Sequence, residues 1–354
     1  MLRQIARLGR SVPFAGGQGL ALAVYADGLD TPTRAQEAGY EGVACVDDAA
    51  RALELYCDLW EATRLPWVLR WCEGLLDFVL AMQGPDGRWC NFILDWEGTP
   101  NRGGRTSLAG GDFWQARALL ALARASQVLN DQRIDAAVRL ALPHVVTAAN
   151  VPTDVRALHL RMALMLSAGD DDHGLDERLA PWCEELLGCR AGDVLMNSAD
   201  ERGRPHLWAH IQEGVLADAG VRLGRDDFVG AARRSAELVF GDAVRGGFDL
   251  PRTQPYDVAS AVYVMSRLAD VTGSSDSATL ATAARAWFDG RNPAGRPVYD
   301  REAGRVRDGV DGDGVSSHSG AESNVVGAQA LFAEATALAV RLTEAEALPA
   351  SLPG

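Results

Sequence analysis

The chain has 354 residues, 47% of them hydrophobic, and a formal net charge of −14. That length holds two average domains or one large one, and the apolar content supports a sizeable core and argues against disorder. The acidic balance argues against nucleic acid or an anionic membrane as partner, since both attract Lys and Arg, and suits neutral or cationic ligands.

The first ten residues are basic, but the apolar run Leu20 to Tyr25 is short and follows Gly-Gly-Gln-Gly, so no cleaved signal is expected. No stretch approaches ~20 uninterrupted apolar residues, so no membrane-spanning helix is expected either. Residues 1–30 are expected to add a helix or to close the fold, with 1–38 as a closing segment. The six cysteines (Cys45, Cys57, Cys72, Cys90, Cys183 and Cys189) form no Cys-x-x-Cys pair. Several fall in apolar helical stretches, which predicts buried free thiols and a reducing, cytoplasmic compartment.

From residue 47 the pattern is helix after helix. Asp47 to Arg64 carries Leu53, Tyr56, Cys57 and Trp60 at helical spacing. Pro66 opens the next helix, to about Met82, where Gly84-Pro85-Asp86-Gly87 stops it. Residues 88–98 read as a short hairpin or extended loop. Further helices fit 112–129, 131–149, 152–168, 174–188, 207–223, 226–240, 255–273, 276–289 and 321–342. Two long irregular stretches, 85–111 and 290–320, hold Trp, Tyr, Asn, Asp and His, and loops of that length in a compact domain point to function. Residues 343–354 read as a flexible tail.

The helices alternate in character. Those opening near 47, 112, 154, 208, 257 and 322 are rich in small residues and apolar nearly all round, as in Ala116 to Ala125 and Val258 to Met265. The intervening ones carry charge along one face, as in Asp131 to Arg139. A helix apolar on most faces is buried, and an amphipathic one lies outside it. The expected fold is therefore all-α: an (α/α)6 toroid of six helical hairpins, with inner and outer helix rings, in one domain spanning 1–354.

Three inner helices open alike: Asp47-Asp48 before Arg51-Ala-Leu, Asp112 before Arg117-Ala-Leu, and Asp154 before Arg156-Ala-Leu. With Glu213, Asp257 and Glu322, the acids mark helix starts 42 to 65 residues apart from Asp48 onward. An acid at a helix start is stabilised by the free N–H groups and the dipole, so each one is also readable as a plain cap. Gathered at one rim with Trp114, Trp208 and Tyr256, they would suit a sugar, whose C–H faces stack on aromatic rings and whose hydroxyls bond to carboxylates. Two carboxylates across a glycosidic bond divide acid and base work, ~6.5–9.5 Å apart for inversion or ~5–5.5 Å for retention. Adjacent Asp47 and Asp48 can raise one another's pKa, which suits a general acid. Each Arg, two to five residues past its acid, can pair back to it.

A second constellation is Pro205-His206-Leu-Trp208-Ala-His210-Ile-Gln-Glu213. On a helix His210 and Glu213 share a face and would pair a base with its partner. His318 would reach the same rim from the last loop. The spacing of His206, His210 and Glu213 is not a zinc pattern, and Asp308-Gly-Val-Asp-Gly-Asp-Gly lacks the closing Glu of a calcium loop and reads as an acidic turn. No phosphate loop, dinucleotide fingerprint or nucleophile elbow follows a strand. Neither metal nor cofactor is therefore expected. His144, His159 and His173 read as structural or surface residues.

Four stretches together resemble a family of bacterial (α/α)6-barrel proteins of the six-hairpin glycosidase type. They are Gly39-Tyr40 with Cys45-Val-Asp47-Asp48-Ala-Ala-Arg51-Ala-Leu53; Asp112 through Leu122; Gln254-Pro-Tyr-Asp257; and Trp287-Phe-Asp-Gly-Arg-Asn292 with Pro297-Val-Tyr299-Asp300, Asp308-Gly and Gly320-Ala-Glu322-Ser323. The chain departs from the family at Ala49, Phe113 and Ser319, and by four extra residues between Tyr40 and Cys45. The resemblance implies the toroid, sugar chemistry, and a glycosyltransferase as partner, since the family is often encoded with or fused to one.

The leading expectation is a glycoside hydrolase-like enzyme on an oligosaccharide or glycan. Asp48 and Asp112 lead as acid and base, and Glu213 and Glu322 share the catalysis. Asp47, Trp114, Trp208, His210, Tyr256, Asp257 and His318 bind substrate. The alternatives are a sugar isomerase or epimerase, because His210-x-x-Glu213 is similar to the motif of the acylglucosamine epimerase group, and a non-catalytic glycan-binding partner of a glycosyltransferase.

Overall fold

A computed structural model of the protein describes residues 1–27, 31–32, 39–168 and 173–349. The rest of the expected closing segment, and residues 350–354 of the expected tail, lie outside the described residues. By packing, the chain divides into two compact units. One comprises residues 1–148, 299–308 and 317–354, the other 149–298 and 309–316.

The first unit opens with α1 (Leu2–Leu8) and a hairpin of Gly9–Phe14 with Gly17–Leu22. This segment thus adds a short helix and a hairpin, not a twelfth long helix. The hairpin lies on α3, and Gly19 allows the contact, because a Cβ there would stand 2.7 Å from the Phe78 backbone nitrogen. Next come α2 (Val46–Thr63), α3 (Pro66–Ala81), α4 (Asp112–Val128) and α5 (Gln132–Val146). In the loop 85–111 a local hairpin forms as expected, with the Leu94 N–H donating to the Thr99 carbonyl and the Asn101 N–H to the Phe92 carbonyl, both at 2.8 Å, and Phe92–Ile93 also pairs with Ala44–Cys45 just before α2.

The second unit holds α6 (Thr153–Leu166), α7 (Asp176–Gly188), α8 (Gln212–Leu223), α9 (Asp226–Ala236), α10 (Asp242–Arg245), α11 (Pro255–Thr272) and α12 (Ser275–Arg285). Gly224 and Gly273, both left-handed, end α8 and α11, as glycine does at helix C-termini. The first unit ends with α13 (Ala321–Ala330), α14 (Phe332–Arg341) and the short α15 (Glu344–Ala347), whose Ala347 carbonyl accepts the Trp71 indole N–H at 2.8 Å, so the start of the expected flexible tail is a packed helix.

Three boundaries differ from expectation. The helix expected from 207 starts at Gln212, because Ala209 is left-handed (φ 55°) and ends any helix there. α9 runs into a π turn, Glu237–Gly241. The helix expected over 321–342 breaks at Leu331, whose ψ of 38° is non-helical.

Each unit packs three hairpins: α2/α3, α4/α5 and α13/α14 in the first, α6/α7, α8/α9 and α11/α12 in the second. The first helices of the hairpins also touch each other: α2 lies between α4 and α13, and α8 between α6 and α11. Burial follows this order. α4 is buried at every position from Gln115 to Ala125 and α6 from Thr153 to Leu160. The second helices of the hairpins are buried on one stripe only, α5 at Ile134, Ala137, Val138, Ala141, Leu142 and Val145, α12 at Ser277, Leu280, Ala281 and Ala284. The inner and outer helices read from composition are therefore real. Between α2 and α3, Tyr56 stacks on Trp71 with centroids 4.6 Å apart.

Candidate active site

All the singled-out acids lie within the first turn of a helix, and none is the N-cap. Asp47 and Asp48 follow the cap Cys45, Asp112 follows Gly111, Asp154 follows Pro152, Glu213 follows Ile211, Asp257 follows Gln254 and Glu322 follows Gly320. The helix dipole favours them all. The simple capping role belongs elsewhere: at α2 the Cys45 Sγ accepts the Asp48 N–H at 3.4 Å.

In the first unit, two arginines organise the acids. Arg51 reaches Asp48 at 3.1 Å, Asp47 at 3.5 Å and, across to α13, Glu322 at 2.6 Å. The expected pairing of Arg with its own acid holds in this copy. In the next copy Arg117 bypasses Asp112 and bonds to Asp47 at 2.5 Å, while its guanidinium packs on the Phe113 ring. The Asn91 side chain, from the loop 85–111, accepts the Asp47 N–H at 3.1 Å and so fixes the start of α2.

These contacts drive the two adjacent aspartates apart. Burial works against the Asp47 carboxylate, but Arg117 and Arg51 outweigh it and hold its pKa below the usual aspartate value. Asp48 is buried more deeply, and burial raises its pKa to about 7; Arg51 opposes the rise, while Glu322 and Asp47 add to it. One residue is thus a fixed carboxylate and its neighbour holds a proton near neutrality, the division that acid–base sites use. Asp112 is exposed at the start of α4. Trp114 donates its indole N–H to the carbonyls of Trp89 and Leu108, fastening the loop 85–111.

In the second unit the acid at the head of α8 is enclosed. His210 lies outside the helix, in the turn before it, yet still meets Glu213 at 3.0 Å, and both are fully buried. Asn197 donates to Glu201 and to the His206 carbonyl, and its Oδ1 accepts from Gln212 at 2.9 Å. That Oδ1 faces His210 Nδ1 at 2.6 Å, so Nδ1 carries a hydrogen. Nε2 faces Glu213 Oε1, which also accepts the Ser235 hydroxyl at 2.6 Å. Both ring nitrogens are thus engaged by buried acceptors, and neither reaches solvent.

The open part of that constellation is its start. Trp208 is 38% exposed and stacks on His206, centroids 4.2 Å apart and planes 10° from parallel. His206 Nε2 lies 3.5 Å from Asp154 Oδ2. Asp257 accepts the Gln254 N–H at 2.8 Å, closing the start of α11, and the Tyr256 hydroxyl donates to the Gln254 side chain. Arg156 bonds to Glu185 at 2.7 Å and packs on Trp182. His318 lies against Tyr25 in the first unit, the ring planes tilted by 36°. Among the described residues no group of three or more His, Cys, Asp or Glu is placed to hold a metal.

Sequence reasoning missed Asn197, Ser235 and Glu201, isolated polar residues with no local signal. Tyr40 carried one, its place in the Gly-Tyr motif ahead of Asp47-Asp48.

No family model matches the sequence, and no curated protein matches it. Solved structures do match the fold. Cellobiose 2-epimerase from Spirochaeta thermophila DSM 6192 has a TM-score of 0.63 at 15% identity, over 83% of this chain and 87% of that one. D-mannose isomerase has a TM-score of 0.71 at 8% identity, over 94% and 95%. A metagenome-derived glycoside hydrolase family 9 endoglucanase has a TM-score of 0.54 at 13% identity, over 94% and 79%. At such identities the likeness establishes the architecture alone: the chain has an all-α, (α/α)6 fold of helical hairpins.

Proposed function

We propose that the protein is a carbohydrate-active enzyme that cleaves a glycosidic bond, with Asp48 as general acid and Glu322 as the second carboxylate. The observation that carries the reading is the split between two adjacent aspartates: Asp47 held as a carboxylate by Arg117 and Arg51, Asp48 raised to about 7. Asp48 gives its proton to the glycosidic oxygen as the bond to the anomeric carbon breaks, and water supplies the new hydroxyl. Glu322 meets the same guanidinium as Asp48 and is 36% exposed, open to a ligand. Asp112, exposed in the first turn of α4, is the competing second carboxylate. The fold likeness to an endoglucanase supports the reading. Asp48→Asn and Glu322→Gln are each expected to cut turnover of a cleaved oligosaccharide by roughly 10²–10⁴-fold with the fold intact. Retained turnover in Asp48→Asn would overturn the assignment, and loss in Asp112→Asn but not Glu322→Gln would move the second role to Asp112.

A second reading, sugar isomerase or epimerase, is favoured by His206, which lies against exposed Trp208 with a carboxylate at 3.5 Å. Its neighbours in fold include cellobiose 2-epimerase and D-mannose isomerase. His206 takes the proton-transfer role that sequence gave to His210, whose nitrogens are engaged. Deuterium uptake at C2 of a reducing sugar in heavy water, lost in His206→Gln, would decide for it. A reducing, cytoplasmic setting belongs to the same proposal, supported by six unbridged thiols. So does a glycosyltransferase partner, which co-purification would test.

A further inference from the structure

Beside the acids of the first unit stand three aromatic rings that the acid–base reading does not use. Tyr25 follows the N-terminal hairpin, Tyr40 precedes the strand before α2, and His318 precedes α13. The Tyr25 ring centroid is 4.9 Å from that of His318 and 6.2 Å from that of Tyr40, with planes tilted 36° and 40°. Tyr40 is 43% exposed, and the other two are half-buried. A core cluster would be covered; this one is not.

The backbone beneath the rings is pinned. Val24 donates to the Val43 carbonyl at 3.1 Å and accepts the Ala321 N–H at 3.1 Å. The His318 carbonyl accepts the Asp308 N–H at 3.0 Å, and the Asp308 carboxylate accepts the Gly320 N–H at 2.8 Å. The cluster also stands close to the acids. Burial raises the Tyr40 phenol to about 12, and the charges of Asp48, Glu322 and Asp308 add to the rise.

We propose that Tyr25, Tyr40 and His318 form an aromatic platform that receives a pyranose ring beside Asp48 and Glu322, and that it takes neutral or amino-bearing sugars and refuses uronates. The proposal rests on the carbohydrate reading above and adds its substrate class. Partly exposed rings offer the faces that sugar C–H groups pack on, with a polar edge left wet. The exclusion follows from charge. Asp47, Asp48 and Glu322 face two arginines, and both are committed: Arg51 to three carboxylates, Arg117 to Asp47 and the Phe113 ring. Among the described residues no other guanidinium is paired with Asp47, Asp48 or Glu322, so a ligand carboxylate would meet like charge there. An ammonium group would meet acceptors.

Calorimetric titration of the full chain with cellotriose, the glucosamine trimer and trigalacturonate tests both parts. Cellotriose or the glucosamine trimer is expected to bind at least about tenfold more tightly than trigalacturonate. Tyr40→Ala and Tyr25→Ala each weaken that binding by about tenfold, a loss of the size that ring stacking supplies. Tyr40→Trp restores it, and circular dichroism verifies that each variant is folded. Trigalacturonate bound as tightly as the others overturns the substrate class. Binding unchanged in folded Tyr40→Ala and Tyr25→Ala overturns the platform and leaves the carbohydrate reading standing. No binding of any of the three overturns the proposal, and if a glycan array also draws a blank the carbohydrate reading falls with it.

Discussion

The two units use the same position, the first turn of an inner helix, in opposite ways. In the first, Asp47, Asp48 and Glu322 sit around Arg51 and Arg117, partly reached by solvent. In the second, Glu213 is sealed with His210, Asn197, Gln212 and Ser235, and no arginine takes part in the bonds that hold it. An acid at a helix start therefore has no fixed meaning. Clamped by cations near the surface, it keeps a charge and tunes its neighbour; enclosed by a histidine and a hydroxyl, it holds a turn together.

The comparison can be broken by mutation, and the largest effect falls on activity. Asp48→Asn should lower turnover by roughly 10²–10⁴-fold at unchanged fold, measured by initial rates and circular dichroism. In the second unit the large effect is on stability. His210→Ala leaves Glu213 buried beside an empty place and should cost about 3–5 kcal/mol in denaturant unfolding. If it proves as silent as a surface change, the network is not what fixes the turn before α8.

The pH dependence should come from the first unit. Asp48 is raised to about 7, so the folded state holds its proton where the unfolded chain has lost it. Stability from this group therefore falls as pH rises from about 4 to about 7, and hydrolysis falls above that value as the acid ionises. Asp47, lowered, contributes stability above the ordinary aspartate range that is lost as pH falls through its folded value. Melting temperatures across pH should show Asp48→Asn flattening the decline between pH 4 and 7. A profile unchanged in that variant would sink the link to Asp48.

A smaller change should follow from Arg117→Ala, which removes the stronger of the two cations at Asp47 and costs about 1–3 kcal/mol, with the melting curve becoming less sensitive to acid. Smallest is Trp208→Ala, an exposed ring whose loss should move stability by less than about 1 kcal/mol while weakening any sugar bound at His206.

Much of the fold was legible. The alternation of mostly apolar and striped helices marked inner and outer members correctly, because burial on every side leaves α4 and α6 apolar apart from a few paired charges such as Arg117 and Arg156. Pro66 at the start of α3 and Gly84-Pro85-Asp86-Gly87 after its end placed that helix to within a few residues. The break at Leu331 and the late start of α8 were not legible. The first carries no Gly or Pro, and the second depends on Ala209, a residue that by itself prefers helix.

For the site, the sequence placed an acid in the first turn of each inner helix and an arginine shortly after it in α2, α4 and α6, since local spacing alone decides both. It could not say which acid each arginine would choose. Arg51 stays on its own helix and also reaches α13, while Arg117 abandons Asp112 for Asp47. That choice, and with it which carboxyl is raised and which is held down, is made by helices brought together from distant parts of the chain. Only tertiary packing sets their burial and the charges they meet.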